Sequence, residues 1–204
     1  MDRLLDGYRR FRRDGWPDRR RLFEALAEHG QHPRALVLCC ADSRVDPAMI
    51  FDAGPGELFV VRNVANLVPP YAPDARHHGT SAAIEFGVRV LAVPDVVVMG
   101  HGLCGGVRAL LEGPPPEASD FIGAWIGLAA PVRDQAIAAA DPADRQLIGE
   151  FAMIKLSLAN LLGFPWIAER VSAGALRLHG AHFDIRSGAL RILRPDGSFA
   201  APTA

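Results

Sequence analysis

Three cysteines in 204 residues are too few, and odd in number, for a disulfide framework. The chain also lacks a surplus of either charge, a long apolar run, an internal repeat and a low-complexity tract. Each absence closes off a class. A small odd set of thiols reads as reduced, which points to a cytoplasmic setting and to metal binding or catalysis in place of cross-linking. The 22 Lys+Arg nearly cancel the 23 Asp+Glu, leaving a formal charge of −1. That balance gives no electrostatic footprint for nucleic acid or for an anionic membrane surface, so neither is expected as a partner. No apolar stretch approaches the roughly 18–20 residues of a membrane span. The opening Met1-Asp2-Arg3-Leu4-Leu5-Asp6 is charged at once, so no secretory signal is expected there. What the chain does have is apolar side chains, 50% of its residues. At this length they suffice for one domain that buries about 70% of its unfolded surface.

The expected organisation is a single domain, 1–204, made of a helical arm over 1–30 and an α/β core over 31–204. In the arm, Leu4, Leu5, Tyr8 and Phe11 share one face, and Leu22, Phe23 and Leu26 follow. Arg9, Arg10, Arg12, Arg13, Arg19, Arg20 and Arg21 line the other side, with Asp14 and Asp18 among them, which reads as a solvated helix face. Gly30 is a stop signal. The period then changes. Residues 35–39 and 58–61 are continuous apolar runs, and 95–99 is one after Asp95, the pattern of strands buried on both faces of a parallel sheet. Helical spacing over 80–91 separates the last two, and strands alternating with helices give a mostly parallel α/β sheet flanked by helices. Residues 113–117 read as a loop, 120–139 and 144–162 as helices, and Pro165 opens a short one. Residues 176–178 and 190–193 read as two closing strands around a turn at 186–188.

Two of the buried strands end in metal-competent side chains. The first runs into Cys39-Cys40-Ala41-Asp42-Ser43-Arg44, the third into Gly100-His101-Gly102-Leu103-Cys104-Gly105-Gly106. Sites in open α/β sheets form outside the carboxyl ends of parallel strands, so these segments should converge. A lone histidine after a strand is commonly a capped or solvated residue, and a lone buried cysteine a small hydrophobe. Thiolates and an imidazole together select zinc. A structural zinc normally takes four Cys or His ligands, and the only cysteine left over is Cys39, adjacent to Cys40. Successive strand residues point to opposite faces, so Cys39 and Cys40 do not reach one metal, and a three-ligand site with an open position is expected. The glycines around His101 and Cys104 permit tight turns, and Gly105-Gly106 begins a helix whose amide-rich end favours an anion.

In order and spacing, Cys40-x-Asp42-Ser43-Arg44, Arg62-Asn63-Val64-Ala65-Asn66, Gly79-Thr80-Ser81-Ala82-Ala83-Ile84-Glu85 and Gly100-His101-x-x-Cys104-Gly105-Gly106 resemble the β-class carbonic anhydrases. Val68-Pro69-Pro70-Tyr71, Asn160-Leu161-Leu162 and Pro165 are similar to the plant-type branch, and the resemblance runs from about Gln31 to the end. It implies an enzyme with one zinc per chain that interconverts CO2 and bicarbonate. It also implies a homodimer or higher even oligomer whose N-terminal helices pack on a partner. By the resemblance, Cys40, His101 and Cys104 are zinc ligands, and Asp42 with Arg44 is the dyad that orients the attacking hydroxide. Asp42 becomes a fourth ligand only in a closed, low-pH state. Gln31, Phe59, Val64, Phe86 and Gly102 fall at substrate-pocket positions, Gln31 acting across the dimer. Phe86 stands where the plant-type pattern has Tyr, and Val37 where the other branch uses a Trp for bicarbonate inhibition, which argues against that regulation.

Two thiolates cancel the metal's charge, so the water should be less acidified than on a three-histidine zinc. A hydrolase of CS2 or COS would need the same zinc site with a restricted tunnel. A non-catalytic zinc protein or bicarbonate sensor would be expected to lack Asp42 or Arg44, and both are present. A zinc deaminase would need His-x-Glu and Pro-Cys-x-x-Cys, which are absent. Among the remaining histidines, His182 and the His77-His78 pair are the candidates for a proton shuttle.

Overall fold

The computed structural model describes residues 1–202 apart from 75, 119 and 140. Its centre is β1 (Ala35–Cys40), a run with no charged or hydroxyl side chain to turn toward water. It therefore sits inside a sheet, between β2 (Leu58–Asn63) and β3 (Asp95–His101). The strand order is β2-β1-β3-β4-β5-β6, with β4 at Arg177–Phe183, β5 at Leu190–Leu193 and β6 at Phe199–Ala200. The first four strands are parallel and the last two antiparallel. From β1 the chain goes out to β2 on one side and returns to β3 on the other. That reversal leaves a crevice at the carboxyl ends of β1 and β3. Register fixes what meets there: Cys40 pairs with Asn63, Cys39 with Met99, and His101 with Phe183.

Alternation sorts β1 between two cores. Leu36 and Leu38 join Val96, Val98, Ile84 and Ile154 on one face, while Val37 and Cys39 join Met99 and Ala181 on the other. Each such aliphatic side chain contributes about 1.5–3 kcal/mol by leaving water. The helices are α1 (Asp2–Arg10), α2 (Trp16–His29), α3 (Pro47–Ile50), α4 (Gly79–Glu85), α5 (Gly105–Glu112), α6 (Ile122–Gly127), α7 (Ala130–Ile137), α8 (Arg145–Leu162) and α9 (Pro165–Ser172). Helix α8 lies against β3 and β4, and with α5 to α7 it roofs the crevice through a third apolar cluster that includes Cys40, Cys104, Val107 and Met153. No single helix among the described residues is long and apolar enough to cross a membrane.

Several expectations change in detail. The helix expected over 120–139 is broken into α6 and α7. Pro131 lies in the first turn of α7, where its missing N–H costs nothing, but it cannot continue a helix from α6. The closing strand expected at 176–178 is longer, and it extends the parallel part of the sheet. Residues 179–183, His-Gly-Ala-His-Phe, carry no apolar alternation, so sequence pattern alone stops short of it. The short α3 and β6 were not expected. Helix 80–91 begins at Gly79 and ends in a wider π turn over Phe86–Val90. The arm is helical as expected, α1 and α2 being joined by a π turn over Phe11–Gly15, and it buries none of its own residues.

Candidate metal centre

Cys40 ends β1, His101 ends β3 and Cys104 lies just before α5, and all three are buried. Their ligand atoms lie within 4.8 Å of one another, the two sulfurs 3.9 Å apart. His101 Nδ1 faces the Gly102 carbonyl at 2.9 Å, which assigns the ring proton to Nδ1 and leaves the Nε2 lone pair free for a cation. Nε2 itself is buried and has no hydrogen-bond partner among the described residues.

The electrostatics of the trio point the same way. The Cys104 thiol bonding to Cys40 draws the Cys40 thiol down to about 4, against the opposing effect of burial, with His101 and the amides of Asp42 and Ala65 adding to the lowering. The resulting negative charge pushes Cys104 up, as does burial, while the Gly106 and Val107 amides oppose the rise. Burial lowers His101, but the neighbouring Cys40 sulfur and the Gly102 carbonyl outweigh it and the net direction is upward. Two sulfurs and an imidazole so placed crowd lone pairs and negative charge into one buried spot. A divalent cation would relieve the crowding, and the backbone amides facing both sulfurs stabilise thiolates. The soft donor set and three-sided geometry fit zinc with an open position.

Asp42 overlooks that position. Its Oδ2 lies 3.8 Å from His101 Nε2. Arg44 clamps it in two places, Nε donating to Oδ1 at 2.9 Å and Nη2 to Oδ2 at 2.7 Å, with the Arg44 amide on Oδ1 at 3.0 Å. Arg44 Nη2 also donates to the Leu103 carbonyl at 3.0 Å, tying the β1 loop to the β3 loop. Hydrogen bonds from Arg44 hold the Asp42 carboxyl well below the usual carboxylate range, although burial opposes them.

In the run Arg62-Asn63-Val64-Ala65-Asn66 the resemblance gives a task to Val64 alone, and the structure supplies one for its neighbours. Arg62 donates from Nε to the Cys40 carbonyl at 3.1 Å, and from Nη2 to the carbonyls of Asp42 and Val45, each at 2.6 Å. It therefore fixes the backbone of the whole ligand loop. Asn63 closes the following turn, Oδ1 accepting from the Leu67 amide at 3.0 Å and Nδ2 donating to the Leu67 carbonyl at 2.8 Å. The turn forces Ala65 to φ +65° and aims its amide at Cys40. Gly106 must pass close by, since a Cβ there would lie 2.8 Å from Val64 Cγ1 and 2.9 Å from Ala65 Cβ. We expect Gly106→Ala to lower stability by about 1–3 kcal/mol, read as a fall in melting temperature, whereas Gly105→Ala, with nothing within 4 Å, should change little.

The expected pocket residues divide. Val64 packs beside Cys40 and Cys104, and Gly102 sits next to His101 with its amide on the Phe183 carbonyl at 2.9 Å. Phe59 and Phe86 stack on each other at 5.9 Å between centroids. Phe59 pairs with Leu36, four residues up the strand from Cys40, so within one chain this pair is remote from the metal centre. Gln31 is exposed in the connection from α2 to β1. His182 is buried against Glu150, and neither Glu150 nor Gln146, which grip the backbone of Cys104, was singled out from sequence.

Residues 35–190 match the family model for carbonic anhydrase. Beta carbonic anhydrase 3 of Arabidopsis thaliana is 36% identical over 194 residues, covering 92% of this chain and 74% of its own. A solved structure of the β-carbonic anhydrase CcaA gives a TM-score of 0.93 at 34% identity, covering 100% of this chain and 92% of that one. One described among two tetrameric β-carbonic anhydrases of Sordaria macrospora gives 0.75 at 29% identity, covering 98% and 95%.

Proposed function

The chain belongs to the β-class carbonic anhydrases, and from that premise we propose that it hydrates CO2 reversibly at a zinc ion held by Cys40, His101 and Cys104, with Asp42 and Arg44 orienting the attack. The observation that carries the proposal is the buried trio with His101 Nε2 unpartnered and Asp42 Oδ2 beside it. When bound, zinc supplies Lewis acidity that makes water a competent nucleophile near neutral pH. The chain supplies the rest. Asp42, kept ionised by Arg44, would accept an O–H from the nucleophile beside the trio, and that bond would orient the nucleophile's lone pair toward the carbon of CO2. Val64 and Ala65 give the neighbouring wall an apolar surface suited to a substrate without charge. A proton shuttle has to meet solvent. His182 is 1% exposed and does not, whereas His77 and His78 line an open groove beside Val64.

Stopped-flow CO2 hydration with metal analysis of the same sample tests the proposal. Activity with one zinc per chain supports it. Zinc without activity, or activity without zinc, refutes it.

We further propose that the working unit is a dimer or a higher even oligomer that completes each site. The arm leaves Leu4 at 72% and Tyr8 at 59% exposure, with no core of its own to cover them. Phe59 and Phe86 stack away from the metal centre of their own chain and Gln31 is exposed, which supports a partner's copies serving the site. Light scattering should return an even multiple of 22.0 kDa, and a fully active 22.0 kDa monomer would refute the shared site.

A further inference from the structure

We infer that Glu150 is a positioning residue for the metal centre: with Gln146 and His182 it holds the backbone of Cys104 so that the sulfur faces Cys40 and His101. The inference rests on the zinc reading above. Cys104 stands between two elements, after β3 has ended and before α5 begins, with Leu103 at φ +58° before it and two glycines after it. Its side chain makes no capping bond to the helix it precedes. Locally, only the Gly106 and Val107 amides face its sulfur, and nothing in the segment fixes the Cys104 backbone amide.

The support comes from α8. Cys104 donates its amide to Glu150 Oε1 at 3.1 Å. Gln146, one turn earlier on the same helix, donates Nε2 to the Cys104 carbonyl at 3.1 Å and to Glu150 Oε1 at 2.7 Å. That carbonyl also accepts the Arg108 amide at 3.0 Å. Glu150 Oε2 meets His182 Nε2 at 2.9 Å, and His182 is paired across the sheet with Gly100, one residue before the ligand His101. Glu150 is 3% exposed and His182 1%. His182 stacks edge-on against Phe151 at 4.9 Å, and its Nδ1 is buried with no partner among the described residues.

A carboxylate and an imidazole in an apolar roof are costly, and apolar residues of the same volume would pack α8 on the sheet at least as well. Packing therefore does not account for them. A carboxylate does what an apolar side chain cannot: it accepts the one amide that orients a ligand sulfur, and its second oxygen is locked by a group from the strand beside the other ligand. Cys104 and the strand beside His101 are thus referred to one rigid helix, in the manner of outer partners of metal ligands.

The test compares wild type, Glu150→Gln, Glu150→Leu and Gln146→Leu by chelator competition for zinc, by absorption of the cobalt-substituted protein, and by melting of the metal-free form. Glu150→Gln keeps an acceptor for the Cys104 amide and should bind zinc within about 3-fold of wild type. Glu150→Leu should bind about 10–100-fold more weakly and shift the cobalt d–d bands. Gln146→Leu removes one of the two grips and should move both readouts the same way by less, which keeps the test decisive if Glu150→Leu does not fold. Wild-type zinc affinity and an unshifted cobalt spectrum in both leucine variants would overturn the inference. So would a Gln variant as weak as the Leu one, which would assign the effect to charge and not to position. A wild type that takes up no stoichiometric zinc refutes the zinc reading itself, a result separable from either of these.

Discussion

Cys40→Ser, His101→Ala and Cys104→Ser should each release most of the zinc, and each should lower CO2 hydration by more than the roughly 100-fold associated with losing an outer partner. Three ligands leave no redundancy, since removing one leaves two donors and an ion that tetrahedral chemistry no longer holds. Cys39→Ser is the control. Cys39 faces the opposite side of β1 among Val37, Met99 and Ala181, and burial pushes its thiol up to about 11, so it is neither near the ion nor disposed to become a thiolate. Serine there should cost about 1–3 kcal/mol as a buried hydroxyl without a partner, while zinc content stays at one per chain. Metal analysis and melting curves on the four variants separate the two outcomes. Zinc lost with Cys39 and kept with Cys40 would reverse the facing of β1 on which the whole site depends.

That facing was legible from sequence because it needs only a period of two and a run of apolar residues. Ala35 to Cys40 offers both, and so the strand, its burial and the alternation of the paired cysteines could be read together. The convergence of Cys40 with His101 followed from parallel strands sharing an edge, a rule of topology and not of local pattern. What the sequence hid are the contacts that cross large separations without a periodic signature. Arg62 reaches back 22 positions to the Cys40 carbonyl, and Glu150 reaches back 46 to the Cys104 amide. Each looks in sequence like any charged residue. Strand β4 runs past its apolar pattern for a related reason. His179 and His182 break the apolar pattern, and only Glu150 makes a buried His182 tolerable there. The split of residues 120–139 into α6 and α7, by contrast, was available in Pro131 and is a matter of weighting a breaker over a period.

Arg44→Ala should lose nearly all hydratase activity while retaining zinc, and Asp42→Asn should also fail, but by a different route. In the intact protein activity should rise through about pH 7–9, because two thiolates leave the nucleophile less acidified than three histidines do. Asp42 is not the group behind that rise. Hydrogen bonds from Arg44 hold its carboxyl below the usual range, so it is ionised across the whole interval. A carboxylate whose folded pKa is depressed contributes stability above its unfolded value of about 3.9, and loses it only as pH falls further toward the folded value. Between about pH 6 and 9 the Asp42–Arg44 pair therefore adds a constant amount to stability, and melting temperature should show no step from it there. Without the Arg44 side chain, Asp42 remains charged at these pH values but loses both guanidinium bonds that restrain it and keeps only the backbone amide at position 44. Its Oδ2 already stands 3.8 Å from His101 Nε2, so little movement brings it into the open position. Arg44→Ala is thus expected to carry a protein oxygen on zinc, most firmly at the acid end, where it competes only with neutral water. Asp42→Asn has no carboxylate to close the site and should leave solvent or an anion there, slow at every pH for want of an acceptor. X-ray absorption of the two zinc-loaded variants at about pH 6.5 and about pH 8.5 distinguishes the two ligand sets. Near-normal turnover in Arg44→Ala, or a flat wild-type profile over that interval, would leave the dyad without its assigned task.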